Sequence, residues 1–494
     1  MENYNINNSC DTKNVGKKPE TNQLRQFIIA ICILLVLIIC VILQFVTNQY
    51  GFIVEDGTAT KVIGEKGTEH GQKDAIEMSL YMIEGFIFGY VLSRAFFGFT
   101  GAFTKPVQSH DFSTSKAVLI LLLVSTFAIT FTQFGINSAT NGEPFMNPAY
   151  DGEGLHGYDN SLTYGNAISF SLILGGLLFG VGMTYATGCA SGVLSDAGEG
   201  NARSFIAILG FMIGGFVGIM FTNIMTSQDN WMGVGPYIAF WDTMGLIGGM
   251  LFNVFLIFMV YLFLVYLEKR WGNKDKIKAQ KDFIQNQNDM YDELRARFIK
   301  NEKLSRTYYS LFTRNYSLIT GALLIAVIGI TIYTATGGFG VSKAYAMWPA
   351  YIWSPIFGDV SNNSGFIGPD SGWGLGLIPI DILLINNGFR GFWHDTQSWQ
   401  DIMILFGALF AVLMAGKFKF KFNNLSIKRF FIFLSGGFLM GFGTRIGGGC
   451  NIGSFYDPII TTSLSGYVFA AMMLVGSLIA YQSLKIIDPQ SLPS

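Results

Sequence analysis

Two cysteines stand where chemistry is most readily done. Cys189 closes the segment Gly180-Val181-Gly182-Met183-Thr184-Tyr185-Ala186-Thr187-Gly188-Cys189 and is followed by Gly192. Cys450 closes Gly441-Phe442-Gly443-Thr444-Arg445-Ile446-Gly447-Gly448-Gly449-Cys450 and is followed by Gly453. Glycine at this density lets backbone amides turn toward a ligand, and such amide nests and helix N-termini attract anions. A thiol adds a polarizable sulfur and a weak S–H donor, which suits a soft sulfur-containing anion, whereas a formed thiolate would repel it. Arg445 is the one basic residue in either motif; it could balance an anion's charge or snorkel from a helix end. Cys10, Cys32 and Cys40 lie outside such motifs, two of them in an apolar run and one in a polar tail.

The elements that position these motifs are membrane spans. The chain has 494 residues, half of them apolar and 13% charged, with a mean hydropathy of +0.40. Apolar stretches long enough to cross a bilayer, about 17–25 residues, recur throughout. Spans are expected near 24–46, 76–98, 117–135, 167–187, 204–226, 243–267, 317–335, 400–416, 429–446 and 464–484. The run 24–46 is too long for a signal-peptide core and reads as a retained span. Twelve Lys or Arg fall in 268–316, and Lys417, Lys419, Lys421, Lys428 and Arg429 cluster in 417–429, while 136–165 and 227–242 hold none. The positive-inside rule then places both termini in the cytoplasm, with the segment 47–75 straining it. No structural metal or other cofactor is expected, since CxxC and HExxH are absent and the four histidines are scattered. A net charge near zero gives no reason to expect a nucleic-acid partner. Gly441-Phe442-Gly443 lacks the flanking strand of a dinucleotide loop.

The chain also repeats itself. Phe170–Gly215 aligns on Phe431–Gly476 without a gap, at an offset of 261 residues, matching Gly175/Gly436, Gly176/Gly437, Gly180/Gly441, Gly182/Gly443, Gly188/Gly449, Cys189/Cys450, Gly192/Gly453 and Asp196/Asp457. The two aspartates read as structural, for instance as helix caps. A weaker pair, Phe97–Phe103 and Phe339–Tyr345, precedes the cysteine motif in each half. Under the charge assignment 167–187 runs inward and 429–446 outward, so the halves are inverted about an axis in the membrane plane. The expected fold is therefore all-α: an integral membrane protein of about ten transmembrane helices, built as two inverted-topology repeats with re-entrant glycine-rich loops. Its organisation would be a cytoplasmic tail (1–23), an extra N-terminal span (24–46), a first half (76–267), a charged cytoplasmic connector (268–316), and a second half (317–484) with an extracytoplasmic insertion (345–399).

At these motifs the sequence resembles the YeeE/YedE family of sulfur-compound transporters. The resemblance rests on the two Gly-Gly…Gly-x-Gly…Gly-Cys-x-x-Gly segments and on Ser93-Arg94…Phe97-Gly98-Phe99-Thr100-Gly101. It implies uptake of thiosulfate or a related sulfur or selenium species by a permease in the cell (inner) membrane, the ion passing between thiols on loops that dip in from both sides. By position, Cys189 and Cys450 would be two of those thiols, with Gly188, Gly192, Gly449, Gly453, Arg445 and Thr100 along the path. A third family cysteine falls where this chain has Gly98. The expected partners are the small anion, the lipid bilayer and a cytoplasmic sulfurtransferase-like protein that consumes the sulfur. Two other readings stay open: a channel or transporter for a selenium compound or another small solute, and a membrane thiol redox or assembly protein using Cys189 and Cys450 as a pair.

Overall fold

The structure, a computed structural model, describes residues 19–47, 52–55, 58–61, 69–139, 165–226, 231–271, 298–336, 340–349, 396–422 and 425–489. It is a bundle of long apolar helices. In chain order these are α1 (Pro19–Thr47), a small antiparallel hairpin of β1 (Phe52–Glu55) and β2 (Thr58–Lys61), α2 (Glu69–Ala95), α3 (Phe99–Ser109) and α4 (Ser113–Ala139). They continue with α5 (Phe170–Tyr185), α6 (Ala190–Gly198), α7 (Ala202–Thr226), α8 (Phe240–Trp271) and α9 (Glu302–Tyr308), the last running into a π-helical turn, Tyr309–Thr313. The second half holds α10 (Leu318–Thr336), α11 (343–349), α12 (Thr396–Met414), α13 (Ile427–Ile446), a π-helical turn Asn451–Tyr456, α14 (Asp457–Ile460) and α15 (Leu464–Ile487).

Among the described residues, eight helices are long and apolar enough to cross a membrane, or up to ten if each of two bent pairs counts as one span. The bent pairs are Glu302–Thr313 with Leu318–Thr334, at 75°, and Ile427–Ile446 with Asn451–Ile460, at 45°. Each of the ten spans expected from the sequence coincides with one of these helices. The chain is thus an all-α, multi-pass membrane protein. Its outer surface agrees: α1 and α8 expose Ile28, Ile39, Ile42, Phe255, Phe258 and Phe263, a surface that water would not tolerate and that lipid chains cover.

Lipid removes most of the hydrophobic drive between helices, so close backbone packing must hold the bundle together, and small residues permit it. The glycines are placed accordingly. A Cβ at Gly180 would lie 2.3 Å from the Met473 carbonyl oxygen on α15, and one at Gly441 would lie 2.2 Å from that of Phe211 on α7. Gly182 abuts Gly436, and Gly443 abuts Gly175, so α5 and α13 cross in antiparallel contact. Around this crossing α7 packs along α13 and α15 along α5, while α2 packs along α12 and α10 along α4.

The segment treated above as a connector is not wholly free of the bundle. Tyr308 donates to the Met414 carbonyl, Arg94 donates to the carbonyls of Phe312 (3.0 Å) and Thr313 (3.2 Å), and the rings of Phe298 and Tyr308 pack tilted against Phe27 while that of Phe312 meets Phe410 edge-on. The part at 272–297, and 350–395 of the insertion, lie outside the described residues.

Candidate substrate path

α5 ends at Tyr185 and the chain turns through Ala186–Gly188 before α6 begins, with Cys189 at the N-cap position. Cys450 takes the same place before Asn451–Tyr456. The two caps share a backbone geometry, φ −85° and ψ −177° at Cys189 against φ −85° and ψ −171° at Cys450. Each carbonyl accepts a 2.8 Å hydrogen bond, from the amides of Val193 and Ser454 respectively. The glycines that flank them explain the tightness: a Cβ at Gly188 would press on Val193 at 3.1 Å, one at Gly449 on Ser454 Oγ at 2.8 Å, and one at Gly192 would meet Cys189 Sγ at 3.4 Å. Gly448 and Gly449 hold φ of 84° and 152°, a region that L side chains avoid.

Both sulfurs are free thiols, with Cys189 1% and Cys450 0% exposed, and both belong to one buried core cluster that also holds Tyr345. The Ile452 amide donates to Cys450 Sγ at 3.4 Å, and the amides of Gly453 and Val341 also bear on it. Ser191 Oγ lies 3.6 Å from Cys189 Sγ. Beside Cys450, the Asn451 side chain is fully buried, and neither its Oδ1 nor its Nδ2 has a hydrogen-bond partner. A buried amide left unpaired costs about 1–3 kcal/mol, which a polar ligand could offset.

Other elements fix these loops. Tyr345 on α11 donates to the Ala190 carbonyl at 2.8 Å. Tyr456 donates to Ser125 Oγ on α4 at 2.8 Å. Asn253 on α8 donates to the Ile459 carbonyl at 2.8 Å and to Thr126 at 3.2 Å, while accepting from Tyr467 at 2.6 Å. The sequence reading missed Asn451, Tyr345 and Asn253. A lone Asn within the apolar run of α8 was the one local signal for the last, since an intramembrane polar residue asks for a partner.

Arg445 does not snorkel. It is 3% exposed, and its Nη2 donates to the Ser342 carbonyl at 2.6 Å, tying α13 to the turn that leads into α11. Asp196 lies inside α6 and pairs with Arg203 at 3.5 Å rather than capping a helix, and Asp457 opens α14 without being its N-cap. Gly98 is the N-cap of α3, and a Cβ there would meet nothing within 4 Å. Thr100, in the first turn of α3, is 3% exposed and its hydroxyl has no partner.

A family described as "Sulphur transport" matches residues 94–479. The chain is similar to the "Thiosulfate transporter TsuA" of Spirochaeta thermophila, 23% identical over 416 residues that cover 80% of this chain and 96% of that protein. It is also similar to proteins named "Probable transporter YedE" in Escherichia coli (27% over 214 residues) and Salmonella typhimurium (26% over 216 residues). Those two matches cover 42% of this chain and 45% of each relative.

Proposed function

Because the chain belongs to the sulphur transport family, we propose that it carries thiosulfate or a closely related sulfur anion across the cytoplasmic membrane along a path past Cys189 and Cys450. It is a multi-pass membrane transporter rather than an enzyme. The observation that carries the finer reading is the pair of buried, free cysteines at like N-cap turns in one core cluster, with the unpaired Asn451 amide alongside. A neutral S–H donates weakly to the terminal sulfur or an oxygen of the anion. The amide N–H groups directed at Cys450 favour negative charge there, and Asn451 Nδ2 adds a stronger donor. Weak, successive contacts suit conduction, since an ion must be held well enough to enter and loosely enough to leave.

The two thiols reach the centre from opposite faces if the halves are inverted repeats. Three features support that reading: the 261-residue offset, the antiparallel crossing of α5 and α13, and the exchange of partners in which α7–α13 answers α15–α5 and α2–α12 answers α10–α4. On this reading both termini are cytoplasmic, the glycine-rich turns are re-entrant, and a cytoplasmic sulfurtransferase-like protein receives the sulfur. The thiol redox reading has less behind it, as both thiols are free and buried. The test is uptake of labelled thiosulfate by proteoliposomes holding the full chain, with unlabelled thiosulfate, sulfate and selenite as competitors. Saturable uptake competed by thiosulfate above the others is expected. Labelled uptake competed more strongly by selenite than by unlabelled thiosulfate would move the preferred substrate to selenium, and no saturable thiosulfate uptake would defeat the proposal.

A further inference from the structure

A chamber opens beside the Cys189 turn, between the start of α3, the end of α5, the start of α13 and the end of α15. Thr100, Thr184, Thr187, Arg429 and Asp488 are among the residues that line it. Thr184 already donates to the Gly180 carbonyl at 2.9 Å. The hydroxyls of Thr100 and Thr187 are buried and have no partner among the described residues. Arg429 Nε donates to Asp488 Oδ2 at 2.8 Å.

Two placements here run against local energetics. Thr187 has φ 58°, which is strained for a β-branched residue. The matching position 261 residues on is Gly448, with φ 84°, so the turn itself asks for glycine. The first half keeps a threonine there, and that threonine is one of the chamber's lining residues. The ion pair is also placed awkwardly. Arg429 stands in the first turn of α13 and Asp488 at the C-cap of α15, and each helix end disfavours the charge it carries. Residues that break local rules without helping the fold mark function.

Resting on the transport reading above, we infer that this chamber is a binding site for a sulfur oxyanion on its way to or from Cys189, with Thr100, Thr187 and Arg429 as donors and Asp488 as a displaceable stand-in for the anion. Hydroxyl and guanidinium donors suit oxygen atoms rather than the soft sulfur that the thiols would take. The basic cluster Lys417–Arg429 places the chamber on the cytoplasmic side, so it is where the ion would be released. When the anion arrives, Arg429 exchanges the Asp488 carboxylate for an anion oxygen, and when it leaves the ion pair closes again.

The test is equilibrium binding of labelled thiosulfate to the purified full chain in detergent, alongside uptake in proteoliposomes. Asp488→Asn removes the competing carboxylate and should tighten binding by about tenfold, while Arg429→Gln weakens it by a similar factor and Arg429→Lys restores part of it. Thr187→Gly should weaken binding while the protein melts at or above the wild-type temperature, because the strain is relieved. A pair that merely braces the fold would give losses of the same sign for Asp488→Asn and Arg429→Gln, and that result overturns the inference. So would unchanged binding in all four variants. Failure of the two readings is distinguishable: uptake that persists with binding insensitive to these residues removes the chamber alone. Binding that responds as described, without uptake, removes the transport of thiosulfate and keeps the site.

Discussion

The glycine contacts around the α5–α13 crossing make a quantitative prediction. Gly180→Ala and Gly441→Ala each place a Cβ within 2.3 Å and 2.2 Å of a backbone oxygen on the neighbouring helix. Ordinary contact begins near 3.4 Å, so α5 and α15, or α13 and α7, must part by roughly 1 Å. The obstacle is main chain, which has no rotamer by which to retreat. Overpacking of this kind costs about 1–3 kcal/mol, and the upper end applies here. Alanine's better helix propensity returns at most about 1 kcal/mol, which leaves a net loss of about 2 kcal/mol at each site. Apparent melting in detergent, followed by size-exclusion of heated samples, should fall by a few degrees for each variant. Gly98→Ala is the control, as its Cβ meets nothing within 4 Å, and it should melt with the wild type. Gly180→Ala or Gly441→Ala melting at the wild-type temperature would refute the close-packing argument for these helices.

Three further outcomes follow from single residues. Asn451→Ala deletes a buried amide that has no partner among the described residues, so melting should hold or rise while labelled thiosulfate uptake falls by about tenfold; a parallel loss of both would assign Asn451 to the fold. Gly98→Cys supplies the thiol that the YeeE/YedE resemblance places there, in open space, and should leave stability within about 0.5 kcal/mol of wild type and maintain or raise uptake; misfolding would show that the N-cap of α3 demands glycine. Glu199, in the turn after α6, is pushed up to about 7 by burial and by the negative charge of Asp196, against the opposing pull of its Ser93 hydrogen bond. The folded state therefore holds that proton more tightly than the unfolded chain, so its contribution to stability is full below the unfolded carboxyl value and is lost as pH rises through about 7. Melting scanned across that range should fall less steeply in Glu199→Gln than in wild type, and identical profiles would assign the pH dependence elsewhere.

Much of the architecture is legible in the residues because membranes impose length and polarity so strictly. Hydropathy located every long helix, and the in-register cysteines and glycines pointed to two turns that take the same backbone geometry at Cys189 and Cys450. What escaped were long-range polar contacts. Tyr345 meets the Ala190 carbonyl across 155 residues and Asn253 meets that of Ile459 across 206, and no local spacing encodes such partners. Arg445 was read by its charge, whereas its burial and its bond to Ser342 follow from how closely α13 approaches the turn before α11. Asp196 was read as structural, for instance as a helix cap, yet α6 begins six residues before it, at Ala190, and leaves it facing Arg203. The strain at Thr187 was likewise hidden until the turn's backbone was seen, although the aligned Gly448 was the signal that could have exposed it.

The central claim is a path lined by two thiols, and the most direct measurement is the initial rate of labelled thiosulfate uptake in proteoliposomes containing wild type, Cys189→Ala, Cys450→Ala and the double variant, each at matched folded protein. Each single variant should lose at least about tenfold in rate, with the double variant no worse than the poorer single one, because both thiols serve one ion in sequence. Uptake by the double variant at the wild-type rate would contradict the account and leave an anion path that does not use its cysteines.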